Sequence, residues 1–183
     1  MSILPFSLPG LWRQAESHTD SASLHSLEYP LDSMPRVAVL GWPLRPEPQI
    51  AVFETWSVKQ LESARPRALA GSMKDLIEVA ALREMRVLKL RSLSHPLVVF
   101  TRLGEPPLSE ADHDRLWQLF RLPAFEQVRD RDGRLLAWEC ESRDGFHFAP
   151  DAPARLVALA GNTRPCVCSM AGIGELAEAP PAA

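Results

Sequence analysis

What the sequence lacks narrows the field before any motif is read. No apolar run approaches the roughly 20 residues that cross a bilayer. The opening Met1-Ser2-Ile3-Leu4-Pro5 has no basic residue ahead of its apolar stretch, which Pro5 and Pro9 interrupt. Neither a membrane association nor a secretory leader is expected, and the chain reads as cytoplasmic. Positive charge is also in short supply, with 20 Lys and Arg against 23 Asp and Glu, a formal net charge of -3 and no long basic stripe. Nucleic acid is therefore not an expected partner, since binding to its phosphates needs a concentrated cationic surface. Cysteine is scarce as well, three in 183 residues. In a reducing compartment three thiols point to a metal or to simple burial rather than to disulfides.

What is present describes one globular unit. Apolar residues make up 46% and charged residues 23%, close to the globular average, and the length suits a single core. Residues 1–35, rich in Ser, Pro and His, read as an irregular arm with one short helix near 11–15. Residues 36–171 read as a single α/β domain with a zinc region at 137–168, and 172–183 as a flexible tail. Within the domain, residues 36–41 form a β-rich run. From Ile50 through Phe53, Trp56 and Leu61 the apolar spacing is helical, ending at Arg65-Pro66. A short strand at 67–71 precedes Ser72 and Asp75, which cap a helix over Met73–Glu84 with Met73, Leu76, Ile77, Ala80 and Ala81 inward. Residues 86–90 and 97–101 read as strands, the latter apolar enough for a central parallel position. Ser109 and Asp112 cap a second helix facing inward through Leu116, Leu119 and Phe120, stopped by Pro123. Strands at 124–128 and 134–140 are joined by Arg131-Asp132-Gly133, a hairpin signal, and a last strand is expected at 154–159. The fold class is thus α/β: a three-layer, partly parallel sheet with flanking helices and right-handed crossovers, followed by a C-terminal antiparallel zinc-bearing hairpin region.

All three cysteines fall in one region with a histidine. Cys140 and His147 are separated by six residues, eighteen more lead to Cys166, and Cys168 follows one residue later. Three thiolates and an imidazole satisfy the four-coordinate preference of structural zinc. Cys140 ends an expected strand and His147 follows a turn at Asp144-Gly145, so the two can meet across a short hairpin. The plain alternative keeps Cys140 as a buried small residue, His147 on a surface strand, and Cys166 and Cys168 as incidental.

Several residues in this stretch carry a family resemblance. Leu97-Val98-Val99-Phe100-Thr101, Gly104-Glu105-Pro106, Leu108-Ser109, Leu116-Trp117, Phe120 and Pro123-Ala124-Phe125-Glu126 follow in an order that resembles the large N-terminal domain of adenylate-forming ligases of the phenylacetate-CoA ligase type. Ala137-Trp138-Glu139-Cys140 with Asp144-Gly145-Phe146-His147 is similar to a segment that binds zinc in some members, together with a later Cys-x-Cys. The resemblance covers roughly residues 66–168. It implies a zinc cofactor held by Cys140, His147, Cys166 and Cys168.

The chain departs from that family where its chemistry resides. It has no Ser/Thr/Gly-rich phosphate loop ending near a Lys. Val128-Arg129-Asp130-Arg131-Asp132 stands where the family has a Tyr-Gly-x-Thr-Glu segment, and only a tail follows Cys168 where the family has a catalytic-Lys domain. Adenylyl transfer depends on positioned cations and phosphate-cradling amides, so no catalytic residue is assigned. The expectation is a non-catalytic zinc-stabilised domain related to acyl-activating ligases, serving as a binding or accessory subunit. The alternatives are one part of a split acyl-CoA ligase completed by another chain, and a small zinc-dependent enzyme. A protein partner or self-association is expected, and an acyl ligand is a further candidate. Leftover apolar surface for that partner is expected near Trp42, Trp56 and the arm around Leu8 and Leu11.

Other residues have plainer readings. His95 before Pro96 reads as a loop histidine, and His113 between Asp112 and Asp114 as part of a solvated helix face. Glu139 and Glu141 flank Cys140 and could stand in solvent or bond a metal-ligand neighbour. Trp12, Trp42, Trp56, Trp117 and Trp138 read as packing residues, and Gly172-Ile173-Gly174 is too short and too late for a nucleotide loop.

Overall fold

A computed structural model describes residues 25, 27–150, 152–153 and 166–168. The short helix read at 11–15, the strand at 154–159, the tail, and Leu8, Leu11 and Trp12 lie outside the described residues. Seven strands and three helices follow one another as β1 (Val37–Leu40), β2 (Ile50–Phe53), α1 (Val58–Ala64), β3 (Ala68–Gly71), α2 (Met73–Glu84), β4 (Leu97–Arg102), α3 (Glu110–Phe120), β5 (Ala124–Arg129), β6 (Leu135–Glu139) and β7 (Phe146–Phe148). They build one mixed sheet in the order β2-β1-β3-β4-β5-β6-β7. Pairings from β2 through β5 are parallel, and those of β5 with β6 and β6 with β7 are antiparallel. The strands β1, β3 and β4 are buried almost throughout, as their near-continuous apolar sequences require of parallel strands covered on both faces.

The helix signals hold where the chemistry is local. Ser72 caps α2 by accepting from the Asp75 amide at 3.2 Å. At α3, Ser109 and Asp112 form a reciprocal capping box. Arg65 and Arg121 end α1 and α3 in the left-handed conformation, with φ of 46° and 59°, where glycine is the commoner solution.

Three readings are corrected. Ile50–Phe53 is not the start of a helix but a strand in parallel register with β1, so α1 begins only at Val58. A four-residue apolar run fits either period, and the open edge of β1 decides between them. Residues 86–90 form no strand. Their alternation is real, with Leu88 and Leu90 buried, but Arg86 takes a positive φ of 59° and the amides of Val87 and Leu88 bond back to Leu82 O at 3.0 and 3.1 Å. The segment folds against the end of α2 instead of joining the sheet. Leu119 is 37% exposed and does not face the core, while Leu116 and Phe120 do.

All three helices cover one face. Leu61 of α1, Leu76, Val79 and Ala80 of α2, and Leu116 and Phe120 of α3 share a cluster with Ala38, Leu40, Leu69, Leu97 and Val99. The opposite face, formed by Val37, Val39, Ala68, Ala70, Val98 and Phe100, is covered by Leu27, Tyr29, Met34, Trp42 and Leu44. Of the expected three layers, the one on this face is irregular chain among the described residues, and the flanking helices lie on the other. Topology supplies the reason. The steps β2 to β3, β3 to β4 and β4 to β5 run one way along the sheet, while β1 to β2 runs back. A connection that reverses direction keeps the same hand only by crossing the other face. Trp42 and Leu44, in the β1 to β2 connection, lie on that face.

Candidate metal centre

The antiparallel end of the sheet positions the cysteines. In β6 and β7, Trp138 pairs with His147 and Glu139 with Phe146. Alternation along β6 sets Cys140 on the same face as Trp138. The reversal between the strands is closed by the Arg143 amide bonding to Cys140 O at 3.1 Å, with positive φ at Arg143 and Gly145. Trp138 lies beside the imidazole of His147, ring centroids 5.6 Å apart. Cys166 and Cys168 then bring a distant piece of chain to the same spot.

Cys140 Sγ lies 3.5 Å from Cys166 Sγ, and Cys168 Sγ lies 3.2 Å from His147 Nε2. The four donor atoms all fall within 4.8 Å of one another. A tetrahedron with zinc bond lengths has edges of about 3.5–3.8 Å, so the group fits a single ion at its centre. The thiols are unlinked, and 3.5 Å between sulfurs is far beyond a disulfide bond. Cys140, His147 and Cys166 are buried and Cys168 is half-buried. A residue that the sequence did not single out completes the surroundings: Ser142 Oγ sits 3.1 Å from Cys140 Sγ and 3.2 Å from Cys166 Sγ. Hydrogen bonding from Ser142, opposed by burial and helped by the other two thiols, brings Cys166 down to about 6. A thiol that ionises easily is one prepared to be a ligand. Among the described residues no other group of three or more His, Cys, Asp or Glu side chains converges in this way. The Cys/His group can hold a metal ion.

The neighbouring carboxylates do something else. Glu139 accepts from the Glu126 amide at 2.8 Å, placing it on the face opposite Cys140, and burial raises its pKa. Glu141 is exposed. The less visible residue is Glu126, 1% exposed, which accepts from Thr101 Oγ1 at 2.5 Å and from the Leu108 amide at 2.8 Å. It ties the segment before α3 to the sheet, and burial pushes it up to about 7. Arg129 is wholly buried on the other face, bonding Gly133 O at 2.8 Å and Gln127 Oε1 at 2.7 Å with its guanidinium over Phe100.

The tryptophans separate. Trp42 is buried edge-on against Phe100, and Trp56 packs on the helix side, donating to Asp75 Oδ1 at 3.4 Å. Lying on opposite faces, they do not share the apolar surface expected near them, and Trp42 is itself buried. Among the described residues, the large apolar side chains that are exposed are Met85, Val87, Trp117, Leu119 and Val167.

No family model matches the chain, and no curated protein matches it. Among solved structures, it is similar to an open conformation of 2-hydroxyisobutyryl-CoA ligase in complex with 2-HIB-AMP and CoA, at a TM-score of 0.49 and 14% identity, over 68% of this chain and 33% of that one. The same ligase with 2-HIB-AMP and CoA in the thioesterification state matches at a TM-score of 0.49 and 16% identity, over 68% of this chain and 31% of that one. The chain spans about a third of the length of the ligase chains it matches.

Proposed function

We propose that this chain is a non-catalytic domain whose C-terminal region is tied together by one structural zinc ion, and that it serves as a binding or accessory part of a larger assembly. The observation that carries this reading is the convergence of Cys140, His147, Cys166 and Cys168 within 4.8 Å. Three sulfurs and one ring nitrogen suit zinc better than the oxygen-seeking ions. Four protein ligands fill a tetrahedral ion, whereas catalytic zinc keeps a position for water. A relationship to acyl-activating ligases rests on the sequence resemblance, and the chain contains no phosphate loop of that family. An accessory role needs a surface. Met85 and Val87, 63% and 53% exposed, and Trp117 at 49% supply apolar area for a protein partner or a second copy.

Elemental analysis after purification without chelator tests this reading. About one zinc per chain is expected, falling to near zero in Cys140→Ser and His147→Ala, with a large drop in melting temperature because binding at such a site is coupled to folding. A metal-free parent that melts like Cys140→Ser would overturn it. Pyrophosphate exchange by the isolated chain with any carboxylate substrate, clearly above background, would overturn the non-catalytic part.

A further inference from the structure

The four parallel strands at the β2 edge begin in step. Val37 pairs with Ile50 and with Ala68, and Ala70 with Val98. Stepping back along each strand sets Gln49, Arg36, Arg67 and His95 in one row across the amino ends of the sheet. Backbone bonds extend the match: the Val37 amide to Gln49 O at 2.8 Å, the Arg67 amide to Arg36 O at 2.7 Å, and the Ser94 and His95 amides to Arg67 O at 3.0 and 2.9 Å. All four residues line a cavity of about 430 Å³, together with Ser33, and no carboxylate lines it among the described residues. That volume lies in the lower part of the range for small-molecule pockets, roughly 300–1,000 Å³.

The charge arrangement is the telling feature. Like charges at matched positions of adjacent strands repel, yet no ion pair to Arg36 or Arg67 forms among the described residues. Arg36 makes one bond, to Ala64 O at 3.4 Å at the end of α1. Ser94 Oγ stands 3.0 Å from His95 Nδ1. With the hydroxyl donating, the ring hydrogen is on Nε2, which becomes a third donor. At the carboxyl ends of the strands, where open α/β sheets ordinarily bind ligands, Asp75 fills the space between β1 and β3. It accepts from Ser72 Oγ at 2.5 Å and from Trp56 Nε1 at 3.4 Å, and its Oδ2 lies 3.0 Å from where a Gly41 Cβ would stand. A carboxylate thus occupies the carboxyl ends of the strands, while two guanidiniums stand in the row at the amino ends.

We propose that Arg36, Arg67 and His95 of this row bind the phosphate monoester group of a small molecule, with Gln49 held beside them by its amide bonds to Met34 O and Pro35 O. Two guanidinium forks match a tetrahedral oxyanion. A phosphate dianion neutralises both arginines, where a carboxylate neutralises one. The rest of the cavity takes the remainder of the ligand. The site lies on β1 to β4, apart from the metal centre on β6 and β7, so it stands or falls independently of the zinc.

The test is a titration of the parent protein with inorganic phosphate at constant ionic strength, followed by amide chemical shifts, with acetate titrated in parallel. Saturable shifts at residues 36, 67 and 95 are expected, with acetate clearly weaker. Arg36→Gln and Arg67→Gln, both at exposed positions, should keep the parent's melting behaviour and bind phosphate about ten-fold or more weakly, the loss of one charge-assisted contact. Arg131→Gln, in the turn after β5, should bind like the parent. Linear, non-saturating shifts would overturn the proposal and leave Arg36 with the plain task of neutralising the end of α1. So would unchanged affinity in Arg67→Gln, an equal loss in Arg131→Gln, or acetate binding as tightly as phosphate.

Discussion

Fourteen buried apolar residues, drawn from three helices, four strands and the segment after α2, fill the space beneath α1, α2 and α3. At the other end of the same sheet the described residues give a smaller cluster, Val128, Leu136, Ala137 and Phe146, and beside it stand the cysteines. Four side chains supply a small fraction of the apolar burial that fourteen do. Among the described residues, the parallel part has the apolar contacts to be held by packing, while the antiparallel part has fewer and carries the candidate metal group beside them.

Removing the proposed zinc tie should break the comparison most visibly. With zinc chelated, or in Cys140→Ser, hydrogen exchange over residues 135–148 should accelerate by orders of magnitude while β1, β3 and β4 keep their protection. Structural zinc binding is worth on the order of 10 kcal/mol in small peptides. Equal loss across the sheet would mean that the two regions unfold as one, and no change would mean that no ion is held. The next largest effect comes from the opposite side. Leu76, wholly buried in the large cluster, should cost about 2–5 kcal/mol when replaced by alanine, measured by urea unfolding, with the zinc affinity of the folded protein unaltered. A Leu76→Ala variant that releases zinc would show the regions to be coupled.

A smaller effect sharpens the seam between the regions. Burial, despite bonds from Thr101 and Leu108, lifts Glu126 from 4.5 to about 7, with Glu139 and Asp112 adding to the rise. The native state therefore holds this proton more tightly than the unfolded chain. Its contribution to stability is complete below pH 4.5 and is lost as the pH rises through about 7. Glu126→Gln cannot ionise, so relative to the parent it should gain on the order of 2–3 kcal/mol between pH 5 and pH 8. Urea midpoints at four pH values for both proteins check this, and parallel curves would refute it.

What could be read from the sequence follows the range of the interactions. The caps at Ser72 and Ser109 act over three residues and were legible, as were α2 and α3. The metal group was legible for another reason: cysteine is so rare here that three with a nearby histidine stand out. Local spacing misleads at Ile50–Phe53 because its strand character depends on a partner, β1, that such spacing does not contain. The burial and bonding of Glu126 leave no local signal, since its partners Thr101 and Leu108 lie 25 and 18 residues away and a lone Glu in a strand usually faces water. The row of Gln49, Arg36, Arg67 and His95 was hidden likewise, existing only once four strands are in register.

The irregular layer that covers the second face has a consequence in time. Leu27 and Tyr29 precede the first strand, yet they rest on residues synthesised much later: Tyr29 OH donates to Pro96 O at 3.3 Å, and Gln127 Nε2 donates to Glu28 O across 99 positions of sequence. On a ribosome adding roughly 5–20 residues per second, this stretch emerges some 5–20 s before its seat exists. A stretch made before the strands that it covers is thus among the last able to dock. During that interval its apolar side chains, and the face of β1 that they will cover, are open to whatever else the growing chain meets.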